Sequence, residues 1–210
     1  MSEKKYNMTH LIDKATWDEL TKDEIAYVTN KFESKEQLPV NELSNLIYIL
    51  GRIGAVKYRK KIEKYLYGPH PEDLCVIALR VLCNYWKYST AYIEEIKMFI
   101  RGVEWDPVDE IRLIAISVAG ESIRNNMNRE LLKLLLDVFE NLGINPDLNE
   151  KRDYARAFIQ SCAYYAIARA MGKEYNQILD EELIEQAIAD KQLIKLDLMM
   201  IFQAHQACKA

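Results

Sequence analysis

The stretch Asp106–Arg124, DPVDEIRLIAISVAGESIR, decides the fold class, because it carries both a helix start and a helix face. Asp106 offers a carboxylate to the free amides of a first turn, and Pro107 at the first helical position has no amide to leave unpaired. Asp109 and Glu110 then set negative charge at the positive end of the helix dipole. Together they predict a helix that opens at Pro107. Ile111, Ile114, Ala115, Val118, Ala119 and Ser122 recur at the three- and four-residue spacing of one face, and Leu113 and Ile116 widen the apolar arc. Such a helix is expected to be sandwiched between neighbours.

The same character extends along the chain. Half of the 210 residues are hydrophobic, only seven are Gly and five Pro, and no β-branched run alternates with period two, so an all-α protein is expected. Twenty-eight basic against thirty-two acidic residues give a net charge of −4. That balance disfavours nucleic acid as the main partner, since phosphate binding needs clustered Lys and Arg. No apolar run reaches the roughly 18 residues a membrane helix needs, and the start MSEKKYNMTH lacks a signal-like apolar core, so the cytoplasm is the expected location. Cys75, Cys83, Cys162 and Cys208 lie inside apolar helical patterns and read as buried thiols.

In chain order, Leu11, Ile12, Trp17 and Leu20 give a short entry helix something to dock, and Thr21 with Glu24 has capping-box spacing ahead of Ile25, Val28 and Phe32. VNELSNLIYILGRIG, from Val40, turns Leu43, Leu46, Ile47, Leu50 and Ile53 to one side and ends at Gly54. Val56–Tyr67 reads as a basic helix, with Lys57, Arg59, Lys60, Lys61 and Lys64 against Glu63. After Gly68-Pro69 the pattern restarts at Pro71. Laying this segment on Asp106–Arg124 pairs Leu74 with Ile111, Ala78 with Ala115 and Leu82 with Ala119; Ala163 in the helix expected over Lys151–Met171 also matches Ala115. Shorter helices follow each unit over Ala91–Gly102 and Asn128–Gly143, Asp180 is expected to cap another, and Leu193–Ala207 closes the chain.

Repeated hairpins of this length, carried here by DPVDEIRLIAISVAG, HPEDLCVIALRVLC and LIYILGRIG, resemble HEAT repeats. The resemblance implies a right-handed α-solenoid of stacked helical hairpins: residues 1–38 as an N-terminal cap, 39–190 as HEAT-like repeats and 191–210 as a C-terminal capping helix, in one continuous domain. Stacking consumes the cores and leaves the surfaces for function.

Candidate surface residues follow from that frame. Glu104, Trp105, Asp106, Asp109 and Glu110 form an acidic, aromatic-centred helix opening, suited to a basic protein partner as well as to ordinary capping. Glu72 and Asp73 open one neighbouring unit and Glu150 and Asp153 the other, so stacking would line them into an acidic edge. Thirteen tyrosines include Tyr88, Tyr92, Tyr164, Tyr165 and Tyr175 off the main apolar face, which suits either recognition or the rim of the core. The basic helix reads as a solvated face.

Conventional catalysis has little to build on. His10, His70 and His205 are scattered, and no phosphate loop or dinucleotide fingerprint occurs, so neither a metal nor a cofactor is expected. The chain is therefore expected to be a non-enzymatic protein-binding module. A small acidic protein of this kind also resembles bacterial immunity proteins that neutralise a toxin. The alternatives implied by the HEAT resemblance are a ligand-holding tetrapyrrole lyase and an alkylpurine DNA glycosylase using Trp86, Trp105 and Asp106, though the basic residues that such a DNA enzyme spreads over several repeats are missing. The apolar tail LMMIFQAHQACKA could support a homo-oligomer.

Overall fold

The computed structural model describes residues 6–34, 36–67, 72–141, 150–174, 181–190 and 196–209, and every described regular element is helical. Gly68 to Pro71, Gly143, Asp180 and the start of the last expected helix lie outside those residues. The chain forms two compact units, Met1–Tyr88 and Ser89–Ala210.

In the first unit, α1 (Met8–Thr16), α2 (Lys22–Glu33) and α5 (Glu72–Arg80) pack against the central α3 (Val40–Arg52). Leu46, Ile47, Ile49 and Leu50 of α3 are fully enclosed, as are Leu11 of α1 and Val28 of α2. Burying each such side chain contributes about 1.5–3 kcal/mol relative to leaving it exposed. Gly54 ends α3 at φ +66°, which lets Ala55 N–H reach Leu50 C=O at 3.0 Å and Gly54 N–H reach Gly51 C=O at 3.2 Å. The Arg52 guanidinium donates to Thr16 C=O at 2.7 Å, satisfying a free carbonyl at the end of α1. Trp17, expected to dock, is instead 74 % exposed in the turn that follows.

The capping box forms as expected: Thr21 Oγ1 accepts from Glu24 N–H at 3.3 Å and Glu24 Oε2 accepts from Thr21 N–H at 2.8 Å. Lys14 Nζ, 2.7 Å from the same carboxylate, ties α1 to α2 and, with the Thr21 amide bond, holds the Glu24 pKa down to about 2. A depressed carboxylate contributes stability that is complete above its ordinary pKa of 4.5 and vanishes as pH falls to about 2. Glu24→Gln is therefore expected to be less stable than wild type at pH 6, with the gap closing between about pH 4.5 and 2. Urea titrations across that window read the gap; one that does not narrow contradicts the assignment.

The basic helix is not continuous. Val56–Tyr58 and Glu63–Leu66 are 3-10 turns flanking a single α-turn, α4 (Arg59–Ile62). Its cations turn toward neighbours: Lys57 lies 4.7 Å from the Tyr58 ring, Lys61 lies 4.3 Å from the Phe32 ring, and Lys60 pairs with Glu63 at 2.7 Å. Past α5 the chain widens into a π-helical turn, Val81–Tyr85, and the Trp86 indole N–H then reaches Gly51 C=O at 3.2 Å.

In the second unit, a 3-10 turn (Ser89–Tyr92) leads into α6 (Ile93–Arg101), α7 (Glu110–Asn125), α8 (Arg129–Asn141), α9 (Glu150–Ala170), α10 (Glu181–Ala189) and α11 (Leu198–Lys209). As its wide apolar arc required, α7 is enclosed by α6, α8 and α9. Leu74, Ile111, Ala78, Ala115, Leu82, Ala119 and Ala163, matched by the sequence overlay, are all buried within their own units. Lys97 of α6 is buried between Glu94 at 2.8 Å and Glu130 of α8. The last helix docks on α8, where His205 Nε2 meets Glu140 Oε1 at 2.6 Å, and leaves Met199 and Phe202 exposed. Ile114, expected inward, is half-exposed, because the buried face of α7 is centred one position on, at Ala115. None of the four cysteines is in a disulfide.

Candidate functional site

The opening of α7 is built differently from the expected Pro-led cap. Pro107 and Val108 form a turn, Asp109 takes the left-handed conformation at φ +58°, and the helix begins at Glu110. Asp106 still performs the capping chemistry, from a distance. Its Oδ1 accepts from Glu110 N–H at 2.8 Å, and its Oδ2 accepts from Ile111 N–H at 3.1 Å and Arg112 N–H at 3.2 Å. Those are free amides of the first turn, and the carboxylate also sits at the positive end of the helix.

A second tie closes the loop from the other side. Arg112 Nε donates to Ile100 C=O near the end of α6 at 2.9 Å, and its Nη1 meets Asp109 Oδ1 at 3.3 Å. The backbone bonds Asp106 N–H to Val103 C=O and Asp109 N–H to Asp106 C=O, at 3.1 and 3.2 Å, complete the turn. The loop is thus fixed from beneath by Asp106 and Arg112, while its outer side is displayed. Trp105 is 46 % exposed with its ring edge-on to Phe99 at 6.1 Å, Val108 is 70 % exposed, and Glu104 and Glu110 are exposed beside them.

The expected cluster is therefore sorted into two roles. Asp106, only 4 % exposed, is corrected from a contact residue to an internal cap, because its acceptor positions are turned toward the amides. Asp109 is half-exposed and engaged by Arg112. Glu104, Trp105 and Glu110 remain on the surface, and Val108, which the sequence reading passed over, joins them. No sequence signal marked it, since Pro107 fits the first position of a helix as well as a turn.

The other expected residues are divided between the two units. Glu72 is half-buried and Asp73 exposed at the start of α5 in the first unit. Glu150 and Asp153 start α9 in the second unit, and their side chains lie outside the described set, as does Tyr175. Tyr92 and Tyr164 are corrected from surface to core. Tyr164 packs 5.6 Å from the Phe139 ring and its hydroxyl accepts from Asp197 N–H at 2.8 Å, where burial pushes its pKa up. Tyr88 and Tyr165 are half-exposed and carry guanidinium groups over their rings, Arg59 at 4.3 Å and Arg169 at 5.0 Å. Trp86 is buried in the first unit, and Asp106 is enclosed at the opening of α7 in the second.

Among the described residues no helix is long and apolar enough to cross a membrane, and no three His, Cys, Asp or Glu side chains converge as a metal site. His70 lies outside the described residues. The first unit holds a half-open cleft of about 910 Å³ lined by residues of α2, the start of α3 and the approach to α1. No protein-family model, curated protein or solved structure matches the chain.

Proposed function

We propose that this protein is a non-enzymatic protein-binding module that docks a basic partner on the loop from Gly102 to Glu110, and that its helices stack as a right-handed, HEAT-like solenoid. In favour of stacking, α7 lies against α9 and α6 against α8 in the second unit, as the equivalent helices of successive hairpins do. One observation carries the docking reading: the backbone that exposes Trp105 and Val108 is held by three amide bonds to buried Asp106. A loop ordered beforehand loses little conformational freedom on binding. An aromatic anchor beside a second apolar residue is the composition of an interface centre, and Glu104 and Glu110 at its rim select a partner rich in Lys or Arg.

Within this class the reading favoured is an immunity protein that covers the basic active surface of a toxin in the cytoplasm. Self-association through the exposed Leu198, Met199 and Phe202 of α11 is a separate, compatible proposal. The ligand-holding alternative has the tyrosine-bearing cleft of the first unit in its favour.

The test is affinity capture from an extract of the source cells with wild type and with the triple variant Glu104→Lys, Trp105→Ala, Glu110→Lys. Wild type is expected to retain a polypeptide that elutes as salt rises. The folded triple variant is expected to bind it at least about 30-fold more weakly, the scale of a lost aromatic anchor. Equal retention by the two proteins, or retention of a small molecule alone, overturns the reading.

A further inference from the structure

We infer that the cleft formed by the approach to α1, the outer face of α2 and the first turns of α3 binds a neutral, hydroxyl-rich ligand: a pyranose unit of an oligosaccharide. Its volume of about 910 Å³ is ample for a disaccharide, and its half-open form suits the end of a longer chain. Three carboxamides line it, Asn30 of α2 and Asn41 and Asn45 of α3. None has a side-chain hydrogen-bond partner among the described residues. Asn41 and Asn45 stand one turn apart and so share a face. Asparagine is a poor residue in a helix interior, where Asn45 stands, so its placement there works against local propensity in the way functional positions do.

The chemistry of the lining selects the ligand. A carboxamide donates from nitrogen and accepts at oxygen, and a sugar hydroxyl likewise does both. The Lys31 ammonium is already answered by Glu36 at 3.1 Å and Glu42 at 3.7 Å, so among the described lining residues no unpaired cation is left for a phosphate or carboxylate. Tyr6 and Tyr27, with ring centroids 4.8 Å apart, supply an aromatic wall against which the C–H face of a pyranose can pack.

The experiment is saturation-transfer NMR on the full chain with maltose, cellobiose, lactose and chitobiose, each at about 10 mM, a concentration that detects affinities down to the millimolar range. Inorganic phosphate serves as the anionic comparison. Transfer to the ring protons of at least one disaccharide is expected, with affinity about tenfold weaker in Asn41→Ala/Asn45→Ala, a pair that replaces poor helix formers with good ones. Should that pair lose helicity, Asn30→Ala reads the same contact from α2. No transfer to any of the four sugars, transfer unchanged in the folded variants, or binding of phosphate in place of sugar overturns the inference.

Discussion

Gly120→Ala is expected to lower the Tm by about 6–12 °C, which corresponds to about 3 kcal/mol of overpacking in a chain of this size. On an exposed helix the same change would stabilise by about 1 kcal/mol, since Gly is a poor helix former. Here the sign reverses because α7 and α9 meet at this point. A Cβ on Gly120 would stand 2.6 Å from the Ala166 carbonyl oxygen and 2.8 Å from its Cα, and these are backbone atoms of a long helix. No rotamer change relieves such a contact, so the two helices must separate and open the packing of Ala119, Ala163 and Ile167. Calorimetry on the folded variant measures the shift. A Tm equal to or above wild type would mean that α7 and α9 do not approach this closely.

Asp106→Ala is expected to cost about 3 kcal/mol and, in the same protein, to weaken partner capture without altering any exposed side chain of the loop. Removing the carboxylate leaves the amides of Glu110, Ile111 and Arg112 without their acceptor, and Ile111 is fully buried. Water can serve the outermost of them but not the one beneath Ile111. Asp106→Asn keeps one oxygen in place and is expected to lose about half as much. Hydrogen exchange at those three amides, with urea titration alongside, separates this from a general loss of stability: the three should exchange faster while amides in the middle of α7 stay protected. Unchanged exchange at Glu110, Ile111 and Arg112 would show that Asp106 does not pin the helix start.

Much of the fold was legible in the sequence because its determinants are local. Thr21 and Glu24 sit at a spacing that only a capping box rewards, and both reciprocal bonds form. Gly54 follows an apolar helical face and takes the positive φ that ends it. The breadth of the apolar arc from Ile111 to Ile123 required neighbours on several sides, which α6, α8 and α9 provide.

Where the reading failed, two local solutions had similar energy or the deciding contact lay far away in the chain. Pro107 fits the first position of a helix, but its fixed φ fits a turn equally well, and the left-handed Asp109 with the reach of Asp106 chose the turn. The Val56–Tyr67 segment places Lys57, Lys60, Lys61 and Lys64 at spacings where like charges repel on a continuous helix, and it breaks into short turns instead. Tyr92 and Tyr164 look amphipathic in isolation. Tyr164 is drawn inward by Phe139 and by an amide at residue 197, thirty-three positions away. The cleft was invisible for the same reason, since Tyr6, Tyr27 and Asn45 meet only after three separate elements have packed.

The central claim, that the Asp106-pinned loop is the docking surface, is tested most directly by site-specific photo-crosslinking. A photoreactive amino acid at Val108, which is 70 % exposed at the centre of the loop, is compared with one at Trp17, which is 74 % exposed in the first unit. Irradiation in the source cells is expected to join a single basic polypeptide to the Val108 position and nothing specific to the Trp17 position. Crosslinking of the same polypeptide at Trp17, or no crosslinked product at Val108, would contradict the claim.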